Sequence, residues 1–164
     1  MEMRADLLIV GAGMVGSALA LALKDSGLTI VLLDGSPLSV KPFSADAAFE
    51  PRVSALSAAS QRILQRLGAW EGITRRRVSP YSHMHVWDGS GTGQIHFSAA
   101  SVHADVLGHI VENRVVQDAL LECLQATNIQ MLANARLEQM RRSGDDWLLT
   151  LADGRTLRAP LVIA

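Results

Sequence analysis

The run Ala5-Asp6-Leu7-Leu8-Ile9-Val10 stops at Gly11-Ala12-Gly13-Met14-Val15-Gly16, and nothing else in the chain restricts the backbone as tightly. A short apolar run ending at glycine reads as a buried parallel strand. Met14 to Ser26 is small and aliphatic and is followed by Gly27, as a helix with a glycine stop would be. Thr29 to Leu33 is again β-branched and apolar, closed by Asp34. The three pieces predict a strand-helix-strand unit with its glycine loop at the first strand-to-helix junction.

In such a loop the first glycine turns the chain sharply, the second leaves room for a diphosphate, and the third lets the helix approach the sheet. The helix N-terminus beginning near Met14 then offers unpaired N–H groups and the positive end of its dipole to phosphate. Asp34 follows Gly16 by 18 residues, close to the spacing at which a carboxylate meets the adenosine ribose hydroxyls. Glycines that served helix packing alone would leave Asp34 unexplained. The predicted ligand set is therefore Gly11, Ala12, Gly13, Met14, Val15, Gly16 and Asp34 around a dinucleotide. The motif does not separate FAD from NAD.

Leu7 to Leu23 carries no charge, yet it falls short of the roughly 20 apolar residues a membrane span needs, and its early glycines interrupt it. Glu2 and Asp6 against Arg4 do not make the positive start of a signal peptide. With 15 basic and 16 acidic residues the net charge is −1, which gives no footprint for nucleic acid. The lone Cys123 cannot form an internal disulfide, which suits a cytoplasmic protein. It sits on an apolar helix face and is expected to be core. Five histidines lack the companions of a known metal-ligand spacing, so no metal is expected. Arg75-Arg76-Arg77 reads as a solvated helix end.

Further along, Gly35 to Pro51 reads as a surface loop and Ser57 to Leu67 as a helix. His83 to Trp87 with Gln94 to Phe97 predicts a hairpin. Val115 to Leu124 predicts a helix capped by Asn113, and Ile129 to Leu132 a short strand. Arg136 to Arg142, Trp147 to Leu151 and Thr156 to Arg158, joined by tight turns, predict an antiparallel meander, and Leu161 to Ala164 a further buried strand. Aromatic residues are few (three Trp, three Phe, one Tyr), so the core is built from aliphatics, as in α/β folds.

Beyond the glycine loop, Pro51-Arg52-Val53-Ser54-Ala55-Leu56-Ser57, Leu67-Gly68-Ala69-Trp70, Met84-His85-Val86-Trp87-Asp88 and Gly108-His109-Ile110-Val111-Glu112-Asn113 resemble segments of the ubiquinone-biosynthesis hydroxylases. These are FAD-dependent aromatic-ring monooxygenases similar to para-hydroxybenzoate hydroxylase. The resemblance implies a Rossmann-like α/β FAD-binding domain with a parallel sheet and a three-stranded meander, plus part of a substrate-domain sheet. It implies residues 1–80 as FAD-binding, 81–110 as a partial substrate-domain hairpin, and 111–164 as the return to the FAD-binding domain. Family members are longer, and their later Gly-Asp motifs and most of the substrate pocket lie past Ala164, so the 164 residues alone are expected to be inactive.

Under the same resemblance, FAD is the cofactor and NAD(P)H the electron donor. The reduced flavin uses O₂ to hydroxylate an electron-rich polyprenyl phenol or quinol ring. Arg52 lies near the flavin. Asn113 stands where many relatives outside the ubiquinone group carry a cofactor-holding arginine; it brings no charge, and Arg114 is its neighbour. No catalytic residue is assigned. Contact with the inner-membrane surface, membership of a multi-enzyme complex and a homo-oligomer are further expectations. The competing readings are another FAD-dependent oxidoreductase of similar fold and a non-catalytic dinucleotide-binding module.

Overall fold

A computed structural model describes residues 2–164, which divide into two compact units, residues 2–42 with 117–164 and residues 43–116.

The first unit contains the predicted strand-helix-strand. β1 is Glu2–Arg4, β2 Leu7–Val10, α1 Met14–Ala22 and β3 Ile30–Leu33. β2 and β3 are parallel, with Leu7 opposite Ile30 and Val10 opposite Leu33. Burial on both faces explains why both read as unbroken apolar runs rather than alternating ones. The helix is shorter than predicted. Beyond Ala22, Lys24 N–H bonds Leu21 O at 3.3 Å and Ser26 N–H bonds Leu23 O at 3.0 Å, so the last turns tighten well before Gly27, whose φ is +78°.

The second unit supplies β4 (Val53–Ser57), α2 (Ala58–Arg66), α3 (Trp70–Thr74), β5 (Ser79–Tyr81), β6 (His83–Trp87), β7 (Gln94–Ser98) and β8 (Gly108–Glu112). Ser57 caps α2, its hydroxyl accepting from Ser60 N–H at 3.3 Å. α4 spans Asn113–Gln125, and the division between the units falls within it. β4, β8 and β5 form a three-stranded antiparallel sheet that the sequence reading did not anticipate. Pro80 sits on its edge strand, where the missing N–H costs no ladder bond. Gly108 is required there, because a Cβ would overlap the carbonyl oxygen of Leu56.

β6 and β7 pair as the predicted hairpin, His85 opposite His96 and Val86 opposite Ile95. Its apolar face, Met84, Val86, Ile95 and Phe97, is largely exposed.

The first unit is completed by β9 (Gln130–Leu132), β10 (Leu137–Ser143), β11 (Asp146–Leu151), β12 (Thr156–Ala159) and β13 (Leu161–Ile163). The meander forms as predicted around Gly144 (φ +65°) and Gly154 (φ +85°), and β1 adds to its far side parallel to β12. β13, β2, β3 and β9 make the parallel sheet in that order. Leu8, Val31 and Leu33 from this sheet pack with Leu149, Leu151 and Leu157 from the meander, all fully or almost fully buried. The expectation of a buried strand at Leu161 is corrected in one respect. β13 pairs with β2 as an edge strand, and Leu161 and Ile163 remain exposed because no further strand or helix covers them among the described residues. No helix among the described residues is long and apolar enough to cross a membrane.

Candidate functional site

The glycine loop takes its shape from three different constraints. Gly11 has φ +104°, which only glycine adopts freely, and its N–H bonds Leu33 O at 2.7 Å, tying the loop to β3. Gly16 lies where the helix crosses the loop: a Cβ there would overlap the carbonyl oxygen of Gly11 and stand 3.3 Å from Ile9 Cγ2. Gly13 differs from both. Its φ of −70° and ψ of −172° suit any residue, and a Cβ built on it meets nothing within 4 Å.

Between them, Ala12 is fully buried and bonded through both backbone groups. Its N–H donates to Asp34 Oδ2 at 2.8 Å, and its carbonyl accepts from Ser17 Oγ at 3.1 Å and Gln117 Nε2 at 3.0 Å. Asp34 Oδ1 accepts from Ser36 N–H at 2.8 Å. The carboxylate thus bridges the end of β3 and the glycine loop and fixes the loop before any ligand arrives. Ser17 and Gln117 were not anticipated. Ser17 is a small polar residue in a helix that reads as uniformly aliphatic, and Gln117 lies 105 residues from Ala12, beyond any local pattern.

At the start of α1 no side chain caps the helix and its first turn has no acidic residue. Met14 and Val15 occupy that turn, and Val15 is 81% exposed. Uncapped N–H groups, a positive dipole end and a clear space beside Gly13 suit a diphosphate.

The structure thus brings Gly11 to Gly16 and Asp34 together. Arg52 and Asn113 lie in the second unit, and they too are neighbours. Asn113 N–H bonds Arg52 O at 2.9 Å, and Asn113 Oδ1 accepts from Ser54 Oγ at 2.6 Å. Asn113 is the first residue of α4 rather than a cap outside it, and its amide oxygen serves to join α4 to β4. The Arg52 side chain is exposed.

The arginine run departs from the expected solvated helix end. Arg77 retains 18% of its side-chain exposure, its Nη1 lies 3.6 Å from Glu112 Oε2, and its guanidinium sits 4.2 Å from the centroid of the Phe49 ring. His83, His85 and His96 share one face of the hairpin, with ring centroids 5.4 Å apart (His83 and His96) and 6.2 Å apart (His85 and His96). Among the described residues no group of three or more His, Cys, Asp or Glu is arranged to hold a metal ion. Cys123 is half-buried rather than part of the core as expected, and burial, with Glu122 beside it, still raises the pKa of its thiol above its ordinary value.

No protein-family model matches the chain. It is 36% identical over 159 residues to the 3-demethoxyubiquinol 3-hydroxylase of Escherichia coli, a match covering 96% of this chain and 40% of that protein. It is likewise 36% identical over 161 residues to the ubiquinone hydroxylase UbiL of Rhodospirillum rubrum, covering 97% and 36%. Among solved structures it is similar to PqsL of Pseudomonas aeruginosa, described as a probable FAD-dependent monooxygenase. That similarity has a TM-score of 0.67 and 25% identity, and covers 97% of this chain and 41% of PqsL. The chain therefore spans about two-fifths of the curated relatives it matches. Over the stretch that it spans, the chain is similar to ubiquinone-biosynthesis hydroxylases, and it shares its fold with FAD-dependent monooxygenases.

Proposed function

We propose that this chain forms the FAD-holding part of a monooxygenase that hydroxylates the ring of a polyprenyl phenol or quinol in ubiquinone biosynthesis, with NAD(P)H as reductant. The observation that carries the reading is Gly13. Gly11 and Gly16 are needed by the fold itself, but nothing inside the protein requires glycine at position 13. A residue without a side chain beside open space and an uncapped helix start leaves room for a ligand that must come close to the backbone.

FAD, when bound, supplies the redox and oxygen chemistry. The protein's part is to bind and orient. The N–H groups of the first turn of α1 take the diphosphate, and Asp34, already fixed by Ala12 and Ser36, keeps lone pairs for ribose hydroxyls. A 2′-phosphate at that carboxylate would be repelled, which favours FAD over an NADP-type dinucleotide at this loop. Arg52 and Asn113 are proposed as further flavin contacts on the strength of the family.

The test is to purify the intact protein and measure flavin content, then NAD(P)H oxidation and ring hydroxylation with a prenylated phenol. Bound flavin and substrate-dependent hydroxylation are expected. Flavin content unchanged in Gly13→Asp would refute the site. Bound flavin with no substrate-dependent turnover would make the protein a non-catalytic binding module.

A further inference from the structure

The segment from Phe43 to Glu50 is exposed throughout and contains no strand or helix, yet it has a defined path because one side chain gathers it. Arg77 Nη2 donates to the carbonyl oxygens of Ser44 (3.3 Å), Ala45 (3.1 Å) and Ala47 (3.0 Å). Its guanidinium lies over the Phe49 ring at 4.2 Å and within 5.4 Å of the Phe43 ring. A planar cation that bonds three carbonyls and stacks on aromatic faces uses properties that lysine lacks.

Glu112 connects this arrangement to the sheet. It is 7% exposed, and its two oxygens serve two tasks. Oε2 faces Arg77 Nη1, and Oε1 accepts from Glu50 N–H at 2.7 Å. Glu112 is also the β-partner of Val53 and directly precedes Asn113, whose N–H holds the carbonyl of Arg52. Hence the loop that leads into Arg52 is fastened to the Glu112 side chain, and the strand that leaves it is paired with the Glu112 backbone. The packed segment also walls a hollow of about 230 Å³ lined by Phe49, Val53, Arg77 and Ile110.

We propose that Arg77 is a positioning residue for the flavin: by fastening residues 43–50 to Glu112 it fixes the point at which the backbone delivers Arg52. This inference rests on the FAD reading above and adds to it a residue that touches no ligand.

The experiment is amide hydrogen exchange on the intact, flavin-loaded protein together with FAD titration, for wild type, Arg77→Met, Arg77→Lys and Phe49→Leu. In wild type the Glu50 amide should be protected relative to those of Ala45 and Asp46. Arg77→Met should speed Glu50 exchange by about 10-fold or more and weaken FAD binding about 5-fold or more, with Leu7 to Val10 unchanged, since the opening is local. Arg77→Lys should fail to restore either, and Phe49→Leu, which keeps the ion pair and removes only the stacking ring, should fall between. An unprotected Glu50 amide in wild type, full rescue by lysine, or faster exchange with unchanged FAD affinity would each overturn the proposal. A wild-type protein that binds no flavin overturns the underlying reading instead, and the exchange rates are read separately from it.

Discussion

Gly13→Ala and Gly16→Ala are the same chemical change three residues apart, and the structure assigns them opposite consequences. At Gly16 the new methyl meets the backbone carbonyl of Gly11, which cannot withdraw because Gly11 N–H is held by Leu33 O at 2.7 Å. Forced overpacking costs about 1–3 kcal/mol where side chains can adjust, and a fixed backbone atom puts this case at or above about 3 kcal/mol. In a chain of this size that lowers Tm by roughly 6–12 °C. At Gly13 the methyl enters open space with ordinary dihedrals. The small loss from alanine at an N-cap and the small gain from a stiffer unfolded chain, each about 0.5–1 kcal/mol, offset one another. Tm should therefore stay within about 2 °C of wild type. FAD affinity should behave the other way. Holding the diphosphate away from the α1 N–H groups forfeits a charge-assisted hydrogen bond of about 1.5–3 kcal/mol, a loss of roughly 10- to 150-fold in Kd. Thermal unfolding followed by circular dichroism, and flavin titration followed by fluorescence, read the two effects independently. If Gly13→Ala destabilised the fold as much as Gly16→Ala, or bound flavin as wild type does, the division of roles among the glycines would be wrong.

Asp34→Ala should weaken FAD about 10- to 150-fold. Because Ala12 N–H loses its acceptor, it should also lower stability by about 1–3 kcal/mol, measurable by urea unfolding of the apoprotein. Asp34→Asn, which keeps one acceptor oxygen, should recover most of the stability and little of the affinity. Gly108→Ala should destabilise by about 3 kcal/mol by pushing β8 from β4, and chemical denaturation showing less than about 1 kcal/mol would place those strands differently. The Cys123 thiol, its pKa raised chiefly by burial, stays protonated at neutral pH. Alkylation by iodoacetamide should therefore be much slower than that of free cysteine at pH 7.5 and accelerate only at higher pH, and a rate equal to free cysteine would contradict that burial.

The parts of the fold that were legible in the sequence are those whose partners are close in the chain. β2, α1 and β3 follow from apolar runs and a glycine loop, and the meander and the hairpin from tight-turn residues between alternating strands. The sheet of β4, β8 and β5 was missed because its pairing is distant, Val53 against Glu112 and Ser79 against Ile110, with no turn to announce it. Pro80 also argues locally against a strand and is tolerated only at an edge. In the site, Gly11, Gly13, Gly16 and Asp34 could be read from spacing. Gln117 and Glu112 could not, since hydrogen bonds to partners 105 and 62 residues away leave no periodic mark, and Ser17, though only five residues from Ala12, is a lone small polar residue in an aliphatic helix. Arg77 was visible only as one of three adjacent arginines, and its distinguishing partners, Phe49 and the carbonyls of residues 44–47, lie in a loop without pattern.

The two unit boundaries carry a consequence for biosynthesis. Residues 43–116 are continuous and can close their contacts as soon as they leave the ribosome, whereas β2 must wait for β13, and β1 for β12. At about 5–20 residues per second, Leu7 to Val10 emerge roughly 8–30 s before Leu161 to Ile163. During that interval β2 and β3 can pair with each other while one edge of β2 stays bare, an apolar strand of the kind that recruits holding chaperones or other nascent chains. Synonymous codons that slow translation between Val116 and Leu161 should therefore lower soluble yield, and codons that speed it should raise it, with no change in the finished protein.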